Sequence, residues 1–221
     1  MSYVKNIVKK PWGFEYLAYE NDDCALWFLY IKHNHQTSMH CHPNKTTGLT
    51  VLDGKARVSF LSDDYDLKPM DKIMIRKGLF HSTCATDKRG AWVFEIETPV
   101  NKNDLVRLRD SYGREGQPYE DSSFEFPKEQ DCLWIEDPLG EDHVYKFANS
   151  KLILKKITDV DFFFSIEDNI NIVFLKGGIL TKYGIKVAAP GDIVVSSVVK
   201  ELPQVFSEVA DDTVVMLMEK I

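Results

Sequence analysis

The chain has 221 residues, 44% of them hydrophobic and 28% charged, with 27 Lys and Arg against 34 Asp and Glu for a formal charge of −7. That balance excludes wholesale disorder and leaves no basic stripe for a nucleic-acid backbone. No run approaches the roughly 18 apolar residues of a membrane span, and Met1–Lys10 (MSYVKNIVKK) lacks the apolar core of a signal peptide, so a cytoplasmic location is expected, with no membrane and no nucleic-acid partner.

Short β-type runs broken by turn residues then succeed one another. In the first half they are Ala25–Lys32, Gly48–Leu52, Ala56–Leu61, Lys72–Ile75 and Ala91–Ile96. Asn103–Leu108 carries the one helical signal, with Asn103 as its cap. Glu115–Asp142, rich in Pro, Gly and acids, reads as a linker that still holds Leu133, Trp134 and Ile135 for packing. Ile172–Leu175, Ile185–Ala188, Ile193–Ser196 and Thr213–Met218 follow. Strands of this length at roughly 8–12-residue spacing predict an all-β sandwich or barrel.

Tyr65–Ile75 (YDLKPMDKIMI) and Ile185–Val195 (IKVAAPGDIVV) share an apolar–Lys–apolar step, a Pro-x-Asp and an apolar strand. Aligning Pro69 on Pro190 gives an offset of 121 residues, about half the chain. Two related β modules in tandem are expected, residues 1–114 and 143–221, joined by 115–142.

Cys24, Cys41, Cys84 and Cys132 are scattered without a C-x-x-C, which argues against a disulfide scaffold or a cysteine zinc site. The histidines are clustered instead: four of the six, His33, His35, His40 and His42, fall in KHNHQTSMHCH. On a strand His40 and His42 share a face, about 6–7 Å apart at Cα, with Cys41 turned away, so both imidazoles can reach one metal ion. His81, after the Pro-x-Asp turn and a strand, is the candidate third ligand. His33 and His35 precede the strand and read as solvated loop residues; His143 has no partner in sequence.

His40-x-His42, Gly54 twelve residues on, and Gly78-x-x-His81 together resemble the two motifs of the cupin superfamily. The glutamate of the first motif is replaced by Thr47, and the proline of the second by Arg76. The first 114 residues are further similar to the type II phosphomannose isomerase domain. The matching runs are Pro11-Trp12-Gly13, Ser38-Met39-His40-Cys41-His42, Glu95-Ile96-Glu97, Asp104-Leu105-Val106-Arg107, Asp110 and Tyr112-Gly113-Arg114.

The resemblance implies two tandem jelly-roll cupin barrels, the second degenerate and without metal ligands. It implies a divalent ion (Zn, Fe, Mn or Ni) on His40, His42 and His81, and a sugar or sugar-phosphate ligand undergoing isomerisation or epimerisation. A homodimer is expected on the same ground. Glu97, standing where the family has Gln, and Glu95 are the candidate proton-transfer groups. Being two apart, they share a strand face, which is either the barrel interior or solvent. Arg107 and Arg114 are candidates for phosphate, or else pair with Asp104 and Asp110; Thr47 and Tyr112 complete the expected substrate site. Two other functions fit the same residues: a three-histidine iron(II) dioxygenase, and a sugar-binding bicupin without turnover, to which Thr47 points.

Overall fold

The computed structural model describes residues 6–117, 132–138, 140–201 and 205–221. The chain divides into two units, Met1–Ile135 and Glu136–Ile221, both nearly all β. The first holds β1 (Ile7–Lys10), β2 (Gly13–Glu20), β3 (Ala25–Ile31), β4 (Met39–Cys41), β5 (Thr46–Asp53), β6 (Ala56–Phe60), β7 (Asp64–Leu67), β8 (Lys72–Ile75), β9 (His81–Ala85), β10 (Ala91–Thr98) and β11 (Val106–Arg109). Its strands form two antiparallel sheets in the orders β1-β2-β3-β10-β5-β8 and β11-β4-β9-β6-β7. Counted from β3 to β10 as strands 1 to 8, the orders contain 1-8-3-6 and 2-7-4-5. That is the connectivity of a double Greek-key jelly roll.

The core follows from strand alternation. Trp27, Leu29 and Ile31 of β3, Leu49 and Val51 of β5, and Val93 of β10 meet Val58 and Ala85 of the facing sheet. Each such large apolar side chain contributes about 1.5–3 kcal/mol on burial. Along β10 the inward positions change character: Ala91 and Val93 are followed by Glu95 and Glu97. One end of the interior is therefore oily and the other is polar, and the candidate site lies at the polar end. At the Asp53-Gly54 turn, Gly54 has φ +77°, and a Cβ there would sit 2.2 Å from the Gly90 carbonyl oxygen, so no side chain fits.

The second unit holds β12 (His143–Phe147), β13 (Ser150–Lys156), α1 (Phe162–Ser165), β14 (Asn171–Lys176), β15 (Ile179–Leu180), β16 (Lys186–Ala188), β17 (Ile193–Val195), α2 (Ser196–Lys200), β18 (Glu208–Val209) and β19 (Val214–Lys220). Its sheets run β12-β13-β19-β14-β17 and β16-β15-β18. The strands β13, β19, β14 and β17 repeat the order of β3, β10, β5 and β8. In the smaller sheet β16, β15 and β18 take the places of β7, β6 and β9. Among the described residues nothing stands in the place of β4; the chain there forms α1, whose Phe163 stacks on Phe174 at 5.8 Å.

The repeated Pro-x-Asp builds the same turn twice. The Asp71 carboxylate accepts Lys68 N–H at 3.0 Å, and Asp192 accepts Ala189 N–H at 2.8 Å. The residue before each aspartate, Met70 or Gly191, has positive φ (+71° and +97°). Its N–H bonds the neighbouring strand, at Val51 O (2.8 Å) and Phe174 O (2.9 Å) respectively.

Three expectations need correction or restriction. Asn103–Leu108 is not helical: Val106 and Arg107 pair with Cys41 and His40 as part of β11. The turn before it is capped by Asn101, whose side chain accepts Asn103 N–H at 3.2 Å, and long-range contacts of Asp104 override the weak helical signal. Ser196 begins α2 rather than ending a strand. Of the segment 115–142, residues 118–131 and 139 lie outside the described residues; Trp134 packs edge-on against Tyr16 and Ile135 N–H bonds Ala18 O at 3.0 Å. No helix among the described residues is long and apolar enough to cross a membrane.

Candidate metal centre

β4 and the loop after it turn His40 and His42 to one side, and β9 opens with His81, paired in register with His40. The ring centroids are 4.5 Å (His40–His81), 5.0 Å (His40–His42) and 5.7 Å (His42–His81) apart. One nitrogen of each ring lies within 4.8 Å of the others. Every Nδ1 sits against a main-chain carbonyl, which only a protonated nitrogen can satisfy. His40 donates to Ser38 O at 2.7 Å, His42 to Asp104 O at 2.5 Å and His81 to Leu79 O at 3.0 Å. This fixes the tautomer and leaves Nε2 of each ring as a lone-pair donor. His42 Nε2 is buried and has no hydrogen-bond partner.

Burial is the main force lowering all three imidazole pKa values, His81 to about 4. The neighbouring histidines push His40 down further, and Lys45 does the same to His42. Three neutral imidazoles with convergent lone pairs, one of them orphaned, match the donor set that a divalent transition ion takes. The residues fit such an ion.

The two glutamates face the interior. On β10, Glu97 lies opposite Thr47 of β5 and Ala25 of β3, and Glu95 lies opposite Leu49 and Trp27. Carboxylate oxygens of both are within 4.8 Å of a His42 nitrogen. Burial, reinforced by the charge of Glu97, pushes the Glu95 carboxyl up to about 8. Burial would raise Glu97 as well, but Lys102 and Lys45 outweigh it and hold Glu97 at about 2. Lys45 Nζ donates to Glu97 Oε1 at 2.7 Å, with 0% and 2% of the two side chains exposed. Lys102 lies 3.5 Å above the Trp27 ring and 3.4 Å from Glu15 Oε1. A cation beside the glutamates would meet these ammonium groups, so of the two clusters the histidine triad is the better seat for a metal.

His40, His42, Lys45, Glu95, Glu97 and Lys102 line one pocket of about 480 Å³, open mouth included, whose wall also holds Lys10, Glu15, Ser38, Arg107 and Arg114. Thr47 is beside it, buried, with its hydroxyl unpartnered. Arg114 is committed to Asp110 by two bonds of 2.7 and 3.0 Å, and Arg107 donates to Gln117 O at 2.6 Å. Asp104 pairs with neither arginine; it accepts the N–H groups of Asn44 and Lys45. Tyr112 lies outside the pocket lining and stacks on His35 at 6.4 Å. His33 bonds Asp87 O at 2.9 Å, and His143 bonds Glu136 O at 3.1 Å in the second unit. All four cysteines are free thiols.

No motif marks Lys45 or Lys102; Asp104 opens the Asp104–Arg107 run, but nothing in that run shows it as the acceptor for His42, Asn44 and Lys45. For Lys45 a signal exists: it is two residues before Thr47 and four before Leu49, on the inward phase of β5. For Lys102 and Asp104, which come from an irregular loop, periodicity carries none.

Fold and site together describe an all-β, jelly-roll unit with a buried histidine triad at its polar end. No protein-family model and no curated protein matches the chain. Similar solved structures include KdgF from Halomonas sp., at 14% identity over 43% of this chain and 89% of that one, TM-score 0.41. An RmlC-like cupin from Shewanella frigidimarina matches at 13% identity over 43% of this chain and 85% of its own, TM-score 0.40. A sugar phosphate isomerase from a cupin superfamily, from Silicibacter pomeroyi, matches at 10% identity over 42% of this chain and 64% of its own, TM-score 0.39. The last two are described as cupins, and each of the three aligns with less than half of the chain.

Proposed function

We propose that the first unit is a metal-dependent cupin enzyme acting on a sugar or sugar phosphate, as an isomerase or epimerase. His40, His42 and His81 hold the divalent ion. The observation that carries this reading is the triad itself: His42 and His81 buried and His40 half-buried, every Nδ1–H engaged by a carbonyl, and one nitrogen of each ring within 4.8 Å of the others. When bound, the ion supplies Lewis-acid polarisation of a carbonyl or vicinal hydroxyl. The protein's own groups handle the proton. Glu97, ionised, can accept one at its free oxygen, while Glu95, protonated at neutral pH, can donate one. Lys45 orients Glu97 by holding Oε1. Lys10, Lys45, Lys102 and Arg107 outnumber the ionised Glu15 and Glu97 that pair with the lysines, and this positive excess in a pocket of a chain of net charge −7 favours an anionic ligand. The motif likeness to type II phosphomannose isomerases supports the sugar-phosphate class.

The test is elemental analysis of untagged protein, followed by a screen of phosphorylated hexoses and pentoses for exchange of the C2 proton with solvent deuterium. About one equivalent of a transition metal and metal-dependent exchange on at least one sugar are expected. A second reading, sugar binding without turnover, is favoured by the hold of Lys45 on Glu97. Binding of a sugar with no exchange selects it.

A further inference from the structure

Three donors converge on one carboxylate beside the histidine cluster. Asp104 accepts Asn44 N–H at 2.8 Å, the Asn44 side-chain amide at 2.8 Å and Lys45 N–H at 2.9 Å. The main-chain carbonyl of the same residue accepts His42 Nδ1–H at 2.5 Å. One residue from the segment between β10 and β11 thus grips the β4–β5 loop twice, its imidazole by main chain and its turn by side chain. Asp104 is buried, and its own N–H is bonded to Asn101 O at 3.2 Å, so the grip is anchored from behind.

The other two rings are oriented locally. His40 and His81 donate to carbonyls two residues earlier in their own chain segments, Ser38 and Leu79. His42 alone takes its acceptor from 62 residues away. An imidazole that loses its Nδ1–H acceptor is free to rotate or change tautomer. The loop behind it would at the same time keep donors with no acceptor in a partly buried place.

We infer that Asp104 is the positioning residue of the metal centre proposed above, on which this inference rests. Its carbonyl fixes the direction of His42 Nε2. Its carboxylate fixes the turn that places Lys45, and through Lys45 the carboxylate of Glu97. Two or more bonds to one loop make it a clasp rather than a general contributor to packing.

The experiment titrates metal-stripped full-length protein with Co²⁺ alone and follows the visible absorption bands, for the wild type and for Asp104→Ala, Asp104→Asn and Asp66→Ala. Urea unfolding of each metal-free protein is measured in parallel. Asp104→Ala keeps the main-chain carbonyl but releases the β4–β5 turn that holds His42 against it, and is expected to weaken Co²⁺ binding about 10–100-fold, as loss of a group that orients a ligand does, and to alter the band shape at saturation. Asp104→Asn keeps a carbonyl oxygen for the turn and falls between Asp104→Ala and the wild type. Asp66→Ala, whose carboxylate pairs with Arg57 on the surface, binds like the wild type. Simple loss of folded protein would lower the bound fraction and leave the saturated spectrum unchanged, which overturns the positioning role; if Asp104→Ala does not fold, Asp104→Asn decides. Wild-type affinity and spectrum in both Asp104 variants overturn the role of Asp104 alone. Absence of Co²⁺ binding by the wild type overturns the metal centre itself.

Discussion

Thr47 of β5 and Glu97 of β10 face each other in register across the larger sheet, and both are buried at the polar end of the interior. Directly opposed residues on neighbouring strands have Cβ atoms about 4.5–5.5 Å apart. The carboxylate absent at position 47 is therefore present one strand over. It arrives with a companion, because Lys45, two residues before Thr47, holds Glu97 at 2.7 Å.

That companion makes the pair testable by stability. Glu97→Gln leaves the Lys45 ammonium buried without its partner, and the expected loss is about 3–5 kcal/mol in urea unfolding. Replacing both, as Lys45→Met with Glu97→Met, removes the uncompensated charge and should recover most of that loss. Additive single losses in the double variant would show that the two residues are not coupled.

Much of the first unit was legible because its signals are local. The strands Ala25–Ile31 and Lys72–Ile75 show as β-type apolar runs between turn residues, and His40-x-His42 shows its shared face by spacing alone. The turn at Asp71 and its repeat at Asp192 were visible as a shared Pro-x-Asp. Strand β7, with the sequence DYDL, was not legible, because an edge strand in solvent needs no apolar pattern. β11 reads as helix in isolation and becomes a strand only because Val106 and Arg107 find Cys41 and His40. Arg107 and Arg114, to which the motif points, both line the pocket, while the bonds that commit Arg114 to Asp110 depend on a local turn and show in no pattern. Of the lysines that line the pocket with them, Lys45 shows only through its two-residue step from Thr47 and Leu49, and Lys102, set between polar neighbours in an irregular loop, shows through no pattern.

For the triad, His42→Ala removes one of three nitrogen donors and opens no strand pairing, since His42 follows the last residue of β4. Metal content is expected to drop from about one equivalent to near none, with the β-sheet circular dichroism unchanged. Retention of full occupancy in this variant would falsify the histidine assignment.

The two Pro-x-Asp turns predict a stabilising substitution. Met70 adopts φ +71° where its counterpart in the second unit is Gly191. A non-glycine residue in the left-handed region carries roughly 1–2 kcal/mol of strain, and glycine returns part of the gain through a freer unfolded chain. Met70→Gly should therefore raise stability by about 0.5–1 kcal/mol. A decrease in the urea midpoint would mean that the Met70 side chain contributes more packing than its half-buried position indicates.

The last prediction concerns acid. Burial pushes the His81 imidazole down to about 4 from its ordinary 6.5. Between those values the unfolded chain takes up a proton that the folded chain refuses, so stability of the metal-free protein falls as pH drops through that window and is restored above it. His40 and His42 shift in the same direction and add to the slope. Glu95, pushed up to about 8, works with the opposite sign between 4.5 and 8, because there the folded state keeps a proton that the unfolded state has lost. In Asp104 and Asp110 burial is outweighed by the donors of Asn44, Lys45 and Arg114, and both carboxylates are held below their ordinary range. Their contribution is present above that range and is lost only as pH falls through their lower folded values, beneath the histidine window. The histidine part is therefore read as a difference. The stability gap between wild type and His81→Gln, both in EDTA, should change by about 2–3 kcal/mol between pH 7 and pH 4.5, against the wild type at the acid end. A gap that stays flat across that range would mean that His81 is solvated enough to titrate in place, and the buried, neutral triad would have to be abandoned.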